Sequence, residues 1–235
     1  GIRSYNPFPV INNTSIDNAV ELINKAKKPF IVWGQGVILG NAELEFKEFV
    51  EKSGIPAAWT ILGLSALPTS HKLNVGMVGM HGNYGPNILT NECDLLIAVG
   101  MRFDDRVTGD PNTYASQAKI IHLDIDPAEI NKNINVDVPV IGDCKESLKL
   151  ITKKIQNKTH GKWISRFDDL MKIEFEKVIN SDLNPVKDGL TMGESIIAIN
   201  EYTNGDAIIV TDVGQHQMVA CRYATVSYTH LTLPT

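Results

Sequence analysis

The feature that most constrains the fold is a series of short apolar runs, each of which ends in a turn or a polar cluster. These runs are PFIVW from Pro29, IPAAWT after Gly54, LLIAV at 95–99, KIIHLDI at 119–125 and VPVIG at 138–142. Continuous apolar runs of this length are typical of strands buried on both faces, as in a parallel sheet. Helical patterns lie between several of them. The alternation predicts an open, doubly wound α/β domain over residues 15–157.

Capping residues locate two of the helices in this domain. Ser15 is a candidate N-cap for a helix at 16–27, and Asn41 is a candidate N-cap for the next helix, which Gly54 ends. A third helix is predicted at 143–156. The residues expected to face the core are Ile16, Val20 and Ile23 in the first helix and Leu44, Phe49 and Val50 in the second.

The composition of the chain changes on both sides of this domain. Residues 1–14 are rich in Pro, Asn and Ser and predict a linker arm. Residues 158–190 predict a helical linker, with a helix near 161–178 and a polar connection after it. A second α/β unit begins at 191–225, with a helix at 191–203 and a strand in DAIIVTD. One strand and one or two helices do not complete a sheet.

The totals exclude several classes of protein. Among 235 residues, 43% are hydrophobic and the net charge is −5, with 22 scattered Lys and Arg, which argues against nucleic-acid binding. No apolar run approaches the roughly 20 residues of a membrane helix, and no secretory signal is visible. Three widely spaced cysteines without CxxC spacing predict reduced thiols in a cytoplasmic protein. The lack of an initiator Met suggests a start inside a longer protein.

Because ligands of parallel α/β sheets bind at the carboxyl ends of the strands, the polar clusters there are the candidate site. Gly34, Gln35 and Gly36 follow the first strand, where glycines let a backbone approach a phosphate or adenosine group. The turn is not GxGxxG, because Gly40 falls one position late, and an ordinary strand-to-helix turn explains it equally well.

Four glycines recur every three residues with His81 among them. Gly76, Gly79, Gly82 and Gly85 would leave one edge of the loop nearly free of side chains, which suits a flat ligand. A Gly-rich surface loop is the alternative. A lone His is more often structural than chemical, and no HxH or HExxH set surrounds it, so no metal site is predicted.

Charged residues follow LLIAVG directly. Arg102 and Arg106 suit phosphate, since the guanidinium is a planar fork, and Asp104 and Asp105 suit ribose or ribityl hydroxyls. A solvated salt-bridged loop is the alternative, but the place after a strand favours ligand binding.

Acidic residues end two later runs. Asp124 is placed as a ribose anchor, whereas Asp126 precedes Pro127 and could be a helix N-cap. Asp143 could be either an N-cap or a ligand contact.

A last polar group, with Asp212, Gly214, Gln215 and His216, ends the strand in the second unit. A helix N-terminus there would favour a diphosphate. A capped helix start explains Asp212 but not the adjoining Gln-His pair. No GxSxG, P-loop or paired carboxylates occur, so no catalytic residue is predicted.

Five motifs in family order and spacing carry a resemblance that covers residues 1 to about 225. They are GMVGMHG, ECDLLIAVGMRFDDRVTG, AKIIHLDIDPAEINKN, VPVIGD and TDVGQHQM. They resemble the catalytic large subunit of acetolactate synthase (acetohydroxyacid synthase), a thiamine-diphosphate enzyme. The resemblance implies a Rossmann-like central domain that binds FAD, followed by the start of a truncated thiamine-diphosphate-binding domain.

The resemblance also implies a set of cofactor contacts. Gln35 departs from the family, which commonly has a third Gly there, and Gln215 and His216 match contacts to thiamine diphosphate. Met80, His81, Asp105 and Arg106 also match positions near the active-site channel. The implied FAD contacts are Gly34, Gln35, Gly36, Thr60, Ile61, Val78, Gly79, Met80, His81, Gly100, Met101, Arg102, Phe103, Asp104, Asp105, Arg106, Asp124, Ile125, Asp143 and Cys144.

The implied reaction decarboxylates pyruvate on thiamine diphosphate and joins the fragment to pyruvate or 2-oxobutyrate, which begins valine, leucine and isoleucine synthesis. FAD carries no net redox chemistry in it. The full enzyme would be a homo-oligomer, a dimer or tetramer, with a possible regulatory small subunit. The family's activating glutamate lies in a domain before this segment, and no GDG magnesium motif occurs in the chain. This chain alone is therefore expected to be inactive.

Two alternatives to this interpretation stay open. Another thiamine-diphosphate enzyme, of the pyruvate oxidase or glyoxylate carboligase type, shares the architecture, although the unbroken RFDDRVTG and TDVGQHQM favour the synthase. A non-catalytic FAD- or nucleotide-binding module would also keep the flavin site. The last residues, VSYTHLTLPT (226–235), resemble translated sequencing-adapter read-through, so we expect them to be an artefact without a native fold.

Overall fold

Six parallel strands form the central sheet of the protein. The computed structural model describes residues 7–186, 189–225 and 231–232. The strands lie in the order β3-β2-β1-β4-β5-β6. Their bounds are β1 Pro29–Trp33, β2 Ala57–Trp59, β3 Asn74–Met77, β4 Leu95–Val99, β5 Lys119–Asp124 and β6 Val138–Ile141. This is the doubly wound α/β fold that the apolar runs predicted.

The strand order reverses between β1 and β4, which pair along their whole length. Phe30 lies opposite Leu96, and Ile31 lies opposite Ile97. The chain runs from β1 outward to β3 and then returns to β4 at the centre. Such a switch point opens a crevice at the carboxyl ends of the two central strands.

Helices cover both faces of the sheet, because the central strands are apolar on both sides. Ile31 and Trp33 point into one core, whereas Phe30 and Val32 point into the other. All five residues of β1 are buried, as is typical of a parallel sheet between two helical layers. The helices are α1 Asn13–Lys25, α2 Gly36–Leu39, α3 Glu43–Ser53, α4 Tyr84–Thr90, α5 Asp105–Thr108, α6 Cys144–Lys154, α7 Gly161–Glu174, α8 Asn180–Leu183, α9 Met192–Tyr202 and α10 Gln215–Tyr223.

Two of the predicted helix starts are wrong. The N-cap of α1 is Asn12, whose Oδ1 accepts from the Thr14 amide at 2.8 Å, so Ser15 lies inside the helix. Asn41 has a left-handed backbone with φ of 46°, and α3 begins at Glu43 after the short helix α2. The prediction that Leu44 is buried is also wrong, since 66% of it is exposed and Phe46 takes the core position.

Strand β3 and helix α4 were not predicted. Both lie in the Gly-rich stretch, where β3 contains Gly76 and α4 contains Gly85 and Pro86. These residues have low intrinsic preference for regular structure, so the local pattern indicates a loop. Pairing with β2 imposes the strand, and packing against α7 supports the helix.

Helix α7 completes one face of the sheet. Its residues Trp163, Phe167 and Leu170 are buried in the same core as Phe30. The Phe167 and Phe30 rings have centroids 5.2 Å apart, and Trp163 Nε1 donates to the Pro29 carbonyl at 2.8 Å. The first part of the 158–190 segment is therefore a structural element of the central domain. Helical structure continues through a π-helical turn at Phe175–Ile179 to Leu183.

The segment before α1 and the last unit complete the described chain. Ile11 of the predicted arm packs against Gly142. The predicted strand in the second unit is short: β7 Ile209–Val210 pairs in parallel with β8 Leu231–Thr232. Within 226–235, the described residues are 231 and 232. Within the predicted arm, they are residues 7–14. No helix in the described ranges has both the length and the apolar composition needed to cross a membrane.

Candidate cofactor site

Every one of the twenty implied FAD contacts lies at the carboxyl edge of the sheet, and together they follow all six strands. Val78–His81 come after β3, Thr60 and Ile61 after β2, Gly34–Gly36 after β1, Gly100–Arg106 after β4, Asp124 and Ile125 at the end of β5, and Asp143 and Cys144 after β6. Adjacent strands lie about 4.8 Å apart, so six strands present an edge of about 24 Å. An edge of that length suits an extended ligand of dinucleotide size.

The two central strand ends meet through glycine backbone. The Gly36 amide donates to the Gly100 carbonyl at 2.8 Å, and the Gly34 amide donates to the Val99 carbonyl at 3.0 Å. A Cβ atom placed on Gly36 would lie 2.6 Å from the Gly100 Cα atom, and one on Gly34 would lie 2.6 Å from the Gly100 carbonyl oxygen. These glycines are required because two backbones touch at the switch point.

Gln35, the departure from the family pattern, fits its position. Its backbone is right-handed helical, with φ of −60° and ψ of −24°, and it forms the N-cap of α2. Any L-residue adopts this conformation without strain. Gln35 is one of the residues that line the cavity at this turn, so a glutamine here adds a side chain to the site and leaves the turn intact.

A cavity of about 820 Å³ occupies the crevice at the switch point, which is a usual size for a small-molecule or cofactor site. Fourteen of the implied contacts line it. Three large apolar side chains in the lining are open to solvent: Leu39 is 72% exposed, Met80 62% and Leu62 40%. The full lining is Gly34, Gln35, Gly36, Leu39, Thr60, Ile61, Leu62, Met77, Val78, Gly79, Met80, His81, Gly100, Met101, Arg102, Asp104, Arg106, Val107, Gln217 and Met218.

The mixed-charge cluster contributes two arginines, Arg102 and Arg106, to the lining of this cavity. Arg102 Nη2 lies 3.4 Å from Asp104 Oδ2, and Arg106 Nη1 lies 3.9 Å from Asp105 Oδ2, with all four side chains more than one third exposed. Exposed pairs at such distances contribute little to stability. Asp104 is the N-cap of α5, since its Oδ1 accepts from the Arg106 amide at 3.0 Å. The two guanidinium groups therefore keep most of their capacity to bind an anion.

The glycine spacing of three does not make a flat ligand-facing edge, which corrects that interpretation. Of the four glycines only Gly79 lines the cavity. A Cβ atom on Gly76 would lie 2.4 Å from Asn83 Oδ1, one on Gly82 would lie 2.5 Å from the Met77 carbonyl oxygen, and Gly85 packs against α7. The loop needs glycine chiefly to pack on the protein's own atoms.

Phe103 and Asp105 do not line the cavity. Phe103 is buried, and its ring packs edge-on against His122, with centroids 4.9 Å apart. His122 lies under the strand ends, where its Nε2 is 2.9 Å from the Met101 carbonyl oxygen. Phe103 and His122 thus support the loop after β4 from below. The Asp105 side chain points to solvent.

The residues after β5 and β6 continue the edge beyond the cavity. Asp124 Oδ1 accepts from the Asp126 amide at 2.9 Å, and Ile125 is exposed. Asp126 caps the short 3₁₀ helix at Pro127–Glu129, which is the alternative foreseen for it. Asp143 caps α6 by accepting from the Glu146 amide at 3.0 Å, which leaves its second oxygen free of this bond.

Helix α10 contributes two lining residues that the sequence patterns did not indicate. Gln215 and His216, at its first turn, are exposed and lie outside the cavity, whereas Gln217 and Met218 line it. Leu39, Leu62, Met77 and Val107 are the other unpredicted members of the lining. Each lies within four residues of a predicted contact in the sequence, and this proximity is the feature that could have indicated them.

The site contains no activated thiol. Burial is the main cause that raises the pKa of Cys93 and Cys144 to about 12 and that of Cys221 to about 11. All three are free. Among the described residues, no group of three or more His, Cys, Asp or Glu side chains could hold a metal ion. The arrangement can hold a large ligand but shows no nucleophile of its own.

The sequence of the chain is similar to those of several curated proteins. The chain is similar to the "Probable acetolactate synthase large subunit" of Methanococcus aeolicus (40% identity over 93% of the chain and 39% of the relative) and that of Methanocaldococcus jannaschii (40%, 92% and 37%). It is also similar to the "Acetolactate synthase large subunit" of Corynebacterium glutamicum, with 42% identity over 94% of the chain and 36% of the relative. The chain thus spans 36–39% of the length of these relatives.

The family described as "Thiamine pyrophosphate enzyme, central domain" matches residues 16–151, which include all six strands of the sheet, helices α2 to α5 and most of helices α1 and α6. This match extends over more than half of the chain and agrees with the doubly wound fold. The chain therefore belongs to the thiamine pyrophosphate enzymes, whose central domain it contains.

Proposed function

We propose that the chain is part of an acetolactate synthase large subunit and that the carboxyl edge of its sheet binds FAD. The observation that carries the proposal is the placement of all twenty implied FAD contacts along one edge, where they follow six strands in spatial order. The identity of about 40% with acetolactate synthase large subunits supports the choice of enzyme.

The residues present fit FAD chemically. The apolar lining of the cavity, with Met80, Leu62 and Val78, would hold the ring system, and the Arg102 and Arg106 guanidinium groups would pair with phosphate. Asp124 and Asp143 lie further along the edge and would accept hydrogen bonds from sugar hydroxyls. In this proposal FAD supplies binding energy and shape to the fold, and no net redox chemistry.

The beginning of α10 is proposed to contact thiamine diphosphate through Gln215 and His216. Both side chains are exposed at the N-terminus of a nine-residue helix, where backbone amides favour an anion. Thiamine diphosphate, when bound with Mg²⁺, supplies the chemistry that decarboxylates pyruvate. This chain's residues would position the cofactor, and the activating glutamate and the magnesium ligands belong to other parts of the proposed enzyme. By itself the chain is proposed to be inactive.

The remaining features of the proposal follow the same resemblance. The substrates are pyruvate and 2-oxobutyrate, the products lead to valine, leucine and isoleucine, and the working enzyme is a cytoplasmic homo-oligomer with a possible regulatory subunit. The three free, buried or half-buried thiols agree with a reducing compartment.

Flavin titration of the 235-residue chain tests the site. We expect saturable quenching of FAD fluorescence, and competition by ADP if the adenosine half lies along the edge. Riboflavin, which lacks phosphate, is the matched probe and should bind more weakly. Absence of any saturable FAD signal from a folded chain would remove the flavin site from the proposal.

A chimera tests the enzyme assignment. Residues 16–151 would replace the corresponding segment of the Corynebacterium glutamicum relative, and acetolactate formation from pyruvate would be measured. Activity above that of a chimera with Arg106→Gln supports the assignment. A folded chimera that binds FAD and forms no acetolactate would contradict it.

A further inference from the structure

Arg222 of α10 reaches across to the loop that forms one wall of the cavity. Its Nη2 donates to the carbonyl oxygens of His81 and Gly82, at 3.4 and 3.2 Å. Its Nη1 lies 3.3 Å from Glu174 Oε1 at the end of α7. One guanidinium group therefore joins the central domain's loop, its last core helix and the second unit.

Glu174 carries the other half of the connection. It is 4% exposed, and burial of a charge is costly unless the charge is paired and hydrogen-bonded. Its Oε2 accepts from the Tyr84 amide at 2.9 Å, at the N-terminus of α4. Its Oε1 accepts from Asn83 Nδ2 at 3.2 Å. Asn83, the formal N-cap of α4, makes no side-chain cap bond within the helix, so Glu174 caps it from a distance.

Asn83 connects Glu174 to Met77, the last residue of β3. Its Oδ1 accepts from the Met77 amide at 2.8 Å, and its own amide donates to the Met77 carbonyl at 2.8 Å. The segment 77–84 is thus pinned at Met77, Tyr84 and the two carbonyls between them. Met77 to His81 line the cavity, so this wall is held from behind by the ion pair of the half-buried Arg222 with the buried Glu174.

We propose that Arg222 and Glu174 are positioning residues that hold the 77–84 loop as a wall of the flavin cavity and so link the docking of α10 to flavin binding. This inference rests on the proposed FAD site. Neither side chain lines the cavity, and both act through the loop.

The fold offers a way to break the link without detaching α10. Tyr223 Oη donates to Asp182 Oδ2 at 2.7 Å, and Asn200 Nδ2 donates to the Tyr223 carbonyl at 2.8 Å. Cys221 is buried in the main core. These contacts are expected to keep α10 in place when Arg222 is replaced.

The test compares Arg222→Met and Arg222→Lys with the control Glu176→Gln in the full 235-residue chain. Glu176 is an exposed carboxylate two residues from Glu174. Amide hydrogen exchange without flavin is the first measurement. We expect Arg222→Met to raise exchange in 77–84 while β4 and β5 stay protected, and Arg222→Lys to restore protection in part. A merely structural loss of stability would raise exchange in all of these elements together.

The dissociation constant of FAD is the second measurement, and we expect Arg222→Met to raise it roughly tenfold, within the usual range of coupling between sites. If the wild-type chain binds no FAD, the proposed flavin site fails, and hydrogen exchange alone decides whether the loop is held. If FAD binds and neither measurement changes, the positioning role is wrong. Faster exchange in 77–84 with unchanged FAD affinity would overturn the link to flavin binding.

Discussion

Gly36 and Gly100 touch at the centre of the sheet's carboxyl edge, where the Gly36 amide donates to the Gly100 carbonyl over 2.8 Å. They lie in the turns that follow the two central strands, β1 and β4, between which the strand order reverses. The two loops meet at this reversal because neither residue has a side chain to separate them.

Gly36→Ala is therefore expected to destabilise the protein. The added Cβ atom would meet the Gly100 Cα atom at 2.6 Å, and backbone can yield only by moving both loops. Overpacking of this kind typically costs about 1–3 kcal/mol. The free energy of unfolding in urea measures the effect.

Gly161→Ala is the matched control for this substitution. Gly161 is also the first residue of a helix, and a Cβ atom there has no neighbour within 4 Å. Alanine should leave stability unchanged or raise it by up to about 1 kcal/mol, because it restricts the unfolded chain. Equal effects of the two variants would contradict the contact between the loops.

Phe167→Ala should show that α7 belongs to the central domain. Phe167 is fully buried against Phe30 and Trp163, and truncation of a buried Phe typically costs about 3–5 kcal/mol. Chemical unfolding followed by Trp fluorescence would report the loss. Phe175 is half-exposed just after the last residue of α7, so Phe175→Ala should change stability much less. A small effect of both would place α7 outside the core.

Arg102→Gln and Arg106→Gln are each expected to weaken FAD binding by roughly tenfold, as for the loss of a charge-assisted hydrogen bond. Both residues line the cavity, and their exposed guanidinium groups are only weakly paired. Arg166→Gln is the control, because Arg166 pairs with Glu92 away from the cavity. Flavin titration at two salt concentrations would check both the loss and its electrostatic origin. Equal affinity in all three variants would argue against phosphate binding at this loop.

Cys93 predicts an alkaline loss of stability. Burial raises its pKa from 9.0 to about 12 in the folded protein, so the unfolded chain releases the proton first as pH rises. The contribution of the protonated Cys93 thiol to the free energy of unfolding is present below pH 9. It is lost between pH 9 and about 12, at about 1.4 kcal/mol per pH unit. Cys144 and Cys221 also have raised pKa values, so the free energy of unfolding of the wild-type protein, measured from pH 8 to 11, should fall more steeply than this single contribution.

Cys93→Ser isolates the contribution of this thiol. Cys93 Sγ donates to the Thr90 carbonyl, and a serine hydroxyl can make the same bond without titrating in this range. As pH rises from 9, the free energy of unfolding of the wild-type protein should therefore fall relative to that of the variant. A difference independent of pH would show that the thiol titrates normally.

The strands with uniform apolar runs were predicted from sequence almost to the residue. LLIAV is β4 as predicted, and KIIHLDI and VPVIG each exceed their strands by one residue. Burial on both faces imposes apolar side chains at every position, so these strands leave a local signal. Strand β3 and helix α4 leave no such signal, because Gly76 packs against Asn83 and Gly85 packs against α7, which are tertiary contacts. Leu44 was misplaced because the buried side of α3 passes through Phe46, Phe49 and Val50, and Leu44 lies off that stripe.

The sequence by itself determined the doubly wound class and the polar residues that follow each strand, since alternation and turn residues are local properties. Only the tertiary structure decided which of those residues share the cavity. Phe103 turns into the core, Asp105 into solvent, and Gln217 and Met218 join from a helix more than a hundred residues away. These placements, like the contact of Gly36 with Gly100 and the reach of Arg222 to Glu174, depend on pairings between distant segments, which no local pattern records.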